Sequence, residues 1–493
     1  MTRFGFALVW VSTLTSLAYG AFNINSKNNV VVYYGQGPSQ KSLATYCADP
    51  QIDVIVLSFV SLFPAQANGY PGINFGNQCG GTVYAGPGYN GVNNATNNQL
   101  YQCPALQKDL YTCRQTSNKK FLLSLGGATP EYQLTGATDG NNFANLLWGM
   151  FGPRTTTWVN ANKPRPFDYN GVGFSVDGFD LDIEHPPTDS WAGYNALATQ
   201  LRTNFGTASG QTFYLTASPQ CVVPDANLSG VLQKGIFDML FIQYYNTPLC
   251  SAATWVKSNP NYKPGGTFNT SGFTYDTWTS WLASTPSKNA KLFLGLLGSS
   301  TAGASTSMIT PAQAQNLIDA YYCHSNFAGV SVWEATYAAA NVVNGLNFYQ
   351  NMKKDLNTSS NDTRLSCGAP SSTSSASTSK STSITSTSKS TSKSTSTSSS
   401  KSTFTTSSKS TSTTSSKSTS STSKSTSTTR TPTSTSTTST ATPSKTPVST
   451  NGRCGSSFGT ACPSPQCCSQ YGYCDTATAF CGSGCQKGFG VCS

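Results

Sequence analysis

The segment Asp177-Gly178-Phe179-Asp180-Leu181-Asp182-Ile183-Glu184 carries four carboxyl groups in an otherwise apolar setting. Alternate side chains of an extended strand share a face. Asp180, Asp182 and Glu184 therefore form one row at intervals of roughly 6.5–7 Å, with Phe179, Leu181 and Ile183 on the opposite side. Three stacked acids cannot all ionise cheaply, because burial and mutual repulsion both favour protonation. A proton shared along such a row is available for donation near neutral pH, as cleavage of a glycosidic bond requires. A calcium site would draw its ligands from a flexible loop, and a solvated acidic edge would lack the apolar alternation. Asp177, at the start of the run, reads as a structural residue.

Placing such a row requires a strand covered on both faces. Short β-branched runs recur at Val30–Tyr34, Val54–Phe59, Phe121–Leu125, Gly178–Ile183, Thr212–Ala217, Met239–Gln243, Leu292–Leu296 and Val330–Trp333. Segments of helical spacing, such as Ser190–Phe205 and Pro311–Tyr322, lie between most of them. Fully apolar strands alternating with helices indicate a parallel sheet. Eight units predict an α/β fold, a (β/α)8 TIM barrel, with an open doubly wound sheet as the alternative. In a barrel the chemistry gathers at the C-terminal strand ends. The stretch between the second and third strands reads as a loop pinned by disulfides.

The carboxylate run resembles the signature Asp-X-X-Asp-X-Asp-X-Glu of glycoside hydrolase family 18, met by Asp177, Asp180, Asp182 and Glu184. A second signature of that family, Ser-X-Gly-Gly, is present as Ser124-Leu125-Gly126-Gly127. The runs Val32-Tyr33-Tyr34-Gly35-Gln36 and Gln243-Tyr244-Tyr245-Asn246 are similar to its class III, hevamine-like plant and fungal branch. The resemblance covers about residues 28–350.

It implies a retaining endochitinase in which Glu184 is the general acid and the substrate's own N-acetyl carbonyl is the nucleophile, giving an oxazolinium intermediate. Asp182 would hold the acetamido N–H, Asp180 would tune its neighbours, Tyr245 would bond the acetamido carbonyl and Gln243 would assist. Trp333 resembles the floor beneath the distorted sugar. Tyr34 and Gln36 are expected to line the cleft. The pairs Ser58–Phe59 and Trp333–Glu334 stand where the family often has cis bonds. Only about 30 residues separate the seventh and eighth strands, which leaves no room for the α+β insertion that walls a deep groove in bacterial-type relatives. A shallow groove suits internal cleavage of long chains. His185 and His324 are the only histidines, and nothing ties them to a metal or a triad. No cofactor is implied. An inactive chitin-binding lectin and an endo-β-N-acetylglucosaminidase acting on N-glycans are the alternative readings.

The rest of the chain frames this domain. Residues 1–20 read as a cleaved export signal, with Arg3 before an apolar run that is too short to span a bilayer comfortably. Sixteen cysteines in an exported chain imply disulfides rather than metal ligands, and sequons at Asn94, Asn227, Asn269, Asn357 and Asn361 fit a glycoprotein. The domains are expected at 21–369 (barrel), 370–450 (a disordered Ser/Thr/Lys-rich linker) and 451–493 (tail). The formal charge of +11 includes nine positive residues of that acid-free linker, which leaves +2 elsewhere and no folded basic patch for nucleic acid. A secreted, extracellular monomer able to associate with cell walls, with chitin and chitooligosaccharides as partners and no membrane or nucleic-acid binding, is the expectation.

Eight cysteines crowd into the tail, where bridges would replace a core too small to fold alone. Their spacing leaves the pairing open. The run Cys467-Cys468-Ser469-Gln470-Tyr471-Gly472-Tyr473-Cys474 resembles the hevein-like chitin-binding domain. That resemblance implies the pairs Cys454–Cys468, Cys462–Cys474, Cys467–Cys481 and Cys485–Cys492, with Ser469, Tyr471, Tyr473 and Phe480 contacting sugar. The hevamine-like branch implies Cys47–Cys113, Cys79–Cys103 and Cys221–Cys250, which leaves Cys323 and Cys367 over.

Overall fold

The computed structural model describes residues 22–79, 81–89, 99–365, 367, 446–449, 454–455, 459–469, 474–476, 481–482 and 485–492. The segment expected to be an export signal and almost all of the linker lie outside these residues. Eight parallel strands form the centre: β1 (Asn29–Tyr34), β2 (Val54–Leu62), β3 (Lys120–Gly127), β4 (Gly178–Ile183), β5 (Tyr214–Ala217), β6 (Met239–Gln243), β7 (Lys291–Leu297) and β8 (Phe327–Trp333). Each pairs with its sequence neighbour, and β1 pairs with both β2 and β8, so the sheet closes into a barrel. The short strand Gly72–Ile73 adds antiparallel to the end of β2.

Closure sorts alternate residues to two faces. Val31, Tyr33, Val56, Leu122, Phe241 and Phe293 fill the interior. Val30, Val32, Tyr34, Leu57, Leu123 and Phe179 face outward into the larger core beneath the helices. Every one of these side chains is buried, which is why the strands read as continuous apolar runs.

The helices carry their own start signals. Thr310 caps the helix Pro311–Tyr321 and exchanges hydrogen bonds with Gln313, and Asn347 does the same with Gln350 for Phe348–Asn361. Between β7 and β8 stand a short 3-10 turn at Ser305–Ser307 and the helix Pro311–Tyr321, with no α+β insertion. Among the described residues no helix is long and apolar enough to cross a membrane.

Disulfides join Cys47 to Cys113, Cys79 to Cys103, Cys221 to Cys250 and Cys323 to Cys367 in the barrel domain. The second of these fastens the long connection between β2 and β3. In the tail the bonds are Cys454–Cys468, Cys462–Cys474, Cys467–Cys481 and Cys485–Cys492, around a two-stranded ribbon at Cys467–Cys468 and Cys474–Asp475. Among the described residues no cysteine is free.

Asp177 sits at the N-terminal end of β4 and is buried. It accepts from Arg114 Nη2 at 2.8 Å, Lys120 Nζ at 3.2 Å and the Phe121 amide at 2.9 Å, binding the helix Pro104–Thr116 and the start of β3 to β4. Removing one member of such a cluster leaves buried polar groups unpaired. Asp177→Ala is expected to lower unfolding stability by roughly 2–4 kcal/mol, read from urea titration, while the folded fraction keeps its activity.

A second buried acid makes stability depend on pH. Asp355, on the helix Phe348–Asn361, is buried, and its Oδ2 has no hydrogen-bond partner. Burial pushes its carboxyl up to about 7, with Asp319 adding to the rise and Lys354 opposing it. A folded pKa above the unfolded value means that the fold favours the protonated form. That stabilisation is whole below about pH 4 and is lost as pH rises through about 7. Asp355→Asn is expected to raise Tm over the parent at pH 7.5 and to change it little at pH 4, which thermal scans at the two values will read.

Candidate active site

The site is built at the C-terminal ends of the strands. Asp180, on β4, is fully buried and surrounded by hydroxyls. Thr216 Oγ1 donates to it at 2.6 Å, Ser124 Oγ at 2.8 Å, Ser218 Oγ at 3.1 Å and Tyr33 OH at 3.1 Å. Burial raises its carboxyl, and these four hydrogen bonds pull it back down. Tyr33 and Ser218 also bond each other.

Asp182, two residues on, is held well above the usual carboxylate range. Burial contributes most, followed by the charges of Glu184 and Asp180 and a hydrogen bond to Glu184. Asp182 and Glu184 thus hold a proton between them. Gln243 Nε2 lies 3.0 Å from Asp182 Oδ1, 3.3 Å from Glu184 Oε1 and 3.0 Å from the Ser218 carbonyl, so this amide from β6 spans both acids.

Glu184 is half-buried and reaches the cleft. Its backbone N–H donates to Tyr132 OH at 2.9 Å, and that hydroxyl donates to the Gly127 carbonyl at 2.9 Å. One buried tyrosine thereby ties the ends of β3 and β4. Gly126 and Gly127 adopt φ of 111° and 90°. A Cβ on Gly126 would stand 2.3 Å from the Asp182 carbonyl, and one on Gly127 2.9 Å from the Phe59 ring. The paired glycines let β3 close against the acidic strand.

Across the cavity, burial first and then the charges of Asp182, Glu184 and Asp180 keep the Tyr245 hydroxyl protonated. Trp333 stacks on Phe59 at 5.8 Å between centroids and leans on Tyr33 at 5.7 Å. The bonds Ser58–Phe59 and Trp333–Glu334 are cis. Gln36 donates to the carbonyls of Ser58 and Asn74, both at 2.9 Å. Asp182, Glu184, Gln243, Tyr245, Gln36 and Trp333 line one cleft of about 370 Å³. It offers two acids that share a proton, a neutral hydroxyl donor and an aromatic floor. Such a set can hold an amide by both ends and protonate an ether oxygen beside it.

Two expectations require correction. Tyr34 does not line the cleft: it points outward, packs on Tyr46 and donates to the Lys41 carbonyl at 2.9 Å. Tyr33 takes the inward position. Ser469 is buried, and Gln486 Nε2 donates to its backbone carbonyl at 2.8 Å. Asn227 is also buried, which removes its sequon from the accessible set, whereas Asn269, Asn357 and Asn361 are exposed. Tyr471, Tyr473, Phe480 and Asn94 lie outside the described residues. Sequence reasoning did not find Tyr33, Thr216 and Ser218; for the first, a strand apolar on both faces left no signal.

Residues 29–424 match the profile described as "Glycosyl hydrolases family 18". The chain belongs to this family. Residues 453–492 of the family 18 chain match a second profile, "Chitin recognition protein". Its curated relatives include Endochitinase A of Emericella nidulans, 38% identical over 351 residues, or 70% of this chain and 34% of that protein. Endochitinase A1 of Aspergillus fumigatus is 37% identical over 360 residues, or 72% and 37%. The family 18 chain thus spans about a third of the length of these relatives. A crystal structure of the ICChI chitinase from Ipomoea carnea aligns at 25% identity with a TM-score of 0.48, covering 66% of this chain and 99% of that one.

Proposed function

We propose that this protein is a secreted chitinase that cuts β-1,4-linked N-acetylglucosamine polymers internally and with retention. The observation that carries the reading is the convergence of Asp182, Glu184, Gln243 and Tyr245 on one cleft floored by Trp333. The sugar on Trp333 presents its acetamido arm to Asp182, which accepts the N–H, and to Tyr245, which donates to the carbonyl oxygen. Held so, that oxygen attacks the anomeric carbon. The bond to the leaving sugar breaks as Glu184 gives its proton to the glycosidic oxygen. Asp182, left as the anion once the proton that the two acids share is on Glu184, offsets the positive charge on the ring that forms. Water then attacks the same carbon, and Glu184 takes back a proton as base. Two inversions give net retention.

Around this centre, residues 1–20 act as the export signal, 21–369 as the catalytic domain, 370–450 as the tether and 451–493 as the chitin grip. Tyr471, Tyr473 and Phe480 stack on sugar rings. The tether keeps the catalytic domain concentrated near insoluble polymer. The short β7–β8 connection, which leaves the groove unwalled, supports internal cutting. The protein works as a monomer outside the cell, near cell walls.

Time-resolved analysis of products from chitohexaose tests the reading. Internal fragments released first as the β-anomer are expected. Immediate α-anomer would exclude the retaining route. Binding without turnover would make the protein a lectin, and turnover of N-glycan cores alone would move it to the endo-β-N-acetylglucosaminidases.

A further inference from the structure

We propose that a groove between the loops that follow β7 and β8 is a further sugar subsite beside the catalytic cleft, with Tyr337 as its platform. This rests on the chitinase reading and names a binding position that the six cleft residues do not supply. The groove measures about 480 Å³. Thr301 lines it, while the next residue, Ala302, lines the catalytic cleft, so one loop borders both depressions. Tyr337, on the helix Ala335–Ala340, forms the opposite side and is half-exposed.

The lining selects the ligand. Ser299, Thr301 and Thr310 supply hydroxyls, Tyr337 a ring, and Met308 and Val343 apolar surface; among the described residues no charged side chain lines the groove. An anion or a cation would find no counter-charge. A purely apolar ligand would strip water from the hydroxyls without replacing it. A pyranose matches the mixture, because its faces are apolar and its edges carry hydroxyls. The neutral polymer already threaded through the neighbouring cleft is the occupant at hand.

The platform is held rigidly. The amides of Thr336 and Tyr337 donate to Glu334 Oε1 at 2.8 and 3.1 Å, and Glu334 is fully buried. Because Glu334 directly follows Trp333, the floor of the catalytic cleft and the platform of the groove hang on the same short stretch of backbone. Asn341 Nδ2 donates to the Gly298 carbonyl at 2.9 Å and ties the two loops together. Preorganised binding surface of this kind loses little entropy on occupation.

The test compares chitohexaose with chitotriose on Tyr337→Ala, Tyr337→Phe and the parent. A ring–sugar stack predicts that Tyr337→Ala lowers the hexamer-to-trimer ratio of kcat/KM by roughly 3- to 10-fold, while Tyr337→Phe, which keeps the ring, stays within about twofold of the parent. An equal loss on both substrates, or no change in the ratio, overturns the subsite. Calorimetric titration of both oligomers into Glu184→Gln, with and without Tyr337→Ala, reads affinity independently of turnover. If the parent hydrolyses neither oligomer but the hexamer still binds more tightly in a Tyr337-dependent way, the chitinase reading falls and the subsite stands. Without such preference the subsite falls, whatever the turnover.

Discussion

Glu184→Gln is expected to hydrolyse chitooligosaccharides about 10²–10⁴-fold more slowly than the parent while binding them as well or better. The exchange keeps the shape and the contact with Gln243 Nε2, which lies 3.3 Å from Oε1, and the backbone bond to Tyr132 is untouched. What is lost is the proton that must reach the leaving oxygen, and a carboxamide cannot supply it. Single-turnover kinetics on a defined oligomer, with affinity from calorimetry, separates chemistry from binding. A variant as active as its parent would remove Glu184 from the chemistry. A parent as inert as the variant would leave a binding protein.

The second large effect is expected from Asp182→Asn, a loss of about 10²–10³-fold in kcat, comparable to removing one preorganised electrostatic partner from a developing charge. Asn can still contact the acetamido group, but it cannot become an anion beside the positive ring. A further consequence distinguishes this role from a merely structural one. In the parent, burial raises Asp182 well above its ordinary value, and the charge of Glu184, to which it is hydrogen-bonded, adds to the rise. Protons leave such a pair in two steps, the upper of which belongs to the pair. With Asn in place, loss of the Glu184 proton no longer creates a second adjacent negative charge. The alkaline limb of the kcat profile should therefore move to lower pH. A pH–rate profile reads this directly, and an unmoved limb with a reduced kcat would mean that Asp182 acts only through packing.

Much of the site was legible before any coordinates. The period of a strand separates Asp180, Asp182 and Glu184 from Phe179, Leu181 and Ile183, since one set is acidic and the other apolar. The same argument failed on β1. Val30-Val31-Val32-Tyr33-Tyr34 is apolar on both faces, so its parity is invisible, and the cleft position fell to Tyr34 instead of Tyr33. Asn227 failed for a related reason: a sequon states a local pattern, whereas accessibility depends on what packs over it. Trp191 Nε1 donates to the Asn227 carbonyl at 2.7 Å, and the side chain is buried.

The sequence by itself determined the acidic row, the order of the eight strands and the cysteine-dense tail, because each rests on residue type and short-range spacing. The hydroxyl cage around Asp180 came from the tertiary structure. Tyr33, Ser124, Thr216 and Ser218 are spread over nearly two hundred positions of sequence and meet when β1, β3, β4 and β5 close into one barrel. A serine or threonine carries no mark of the partner that it will find, so its role is fixed by closure and by the cost of leaving a buried carboxyl without donors.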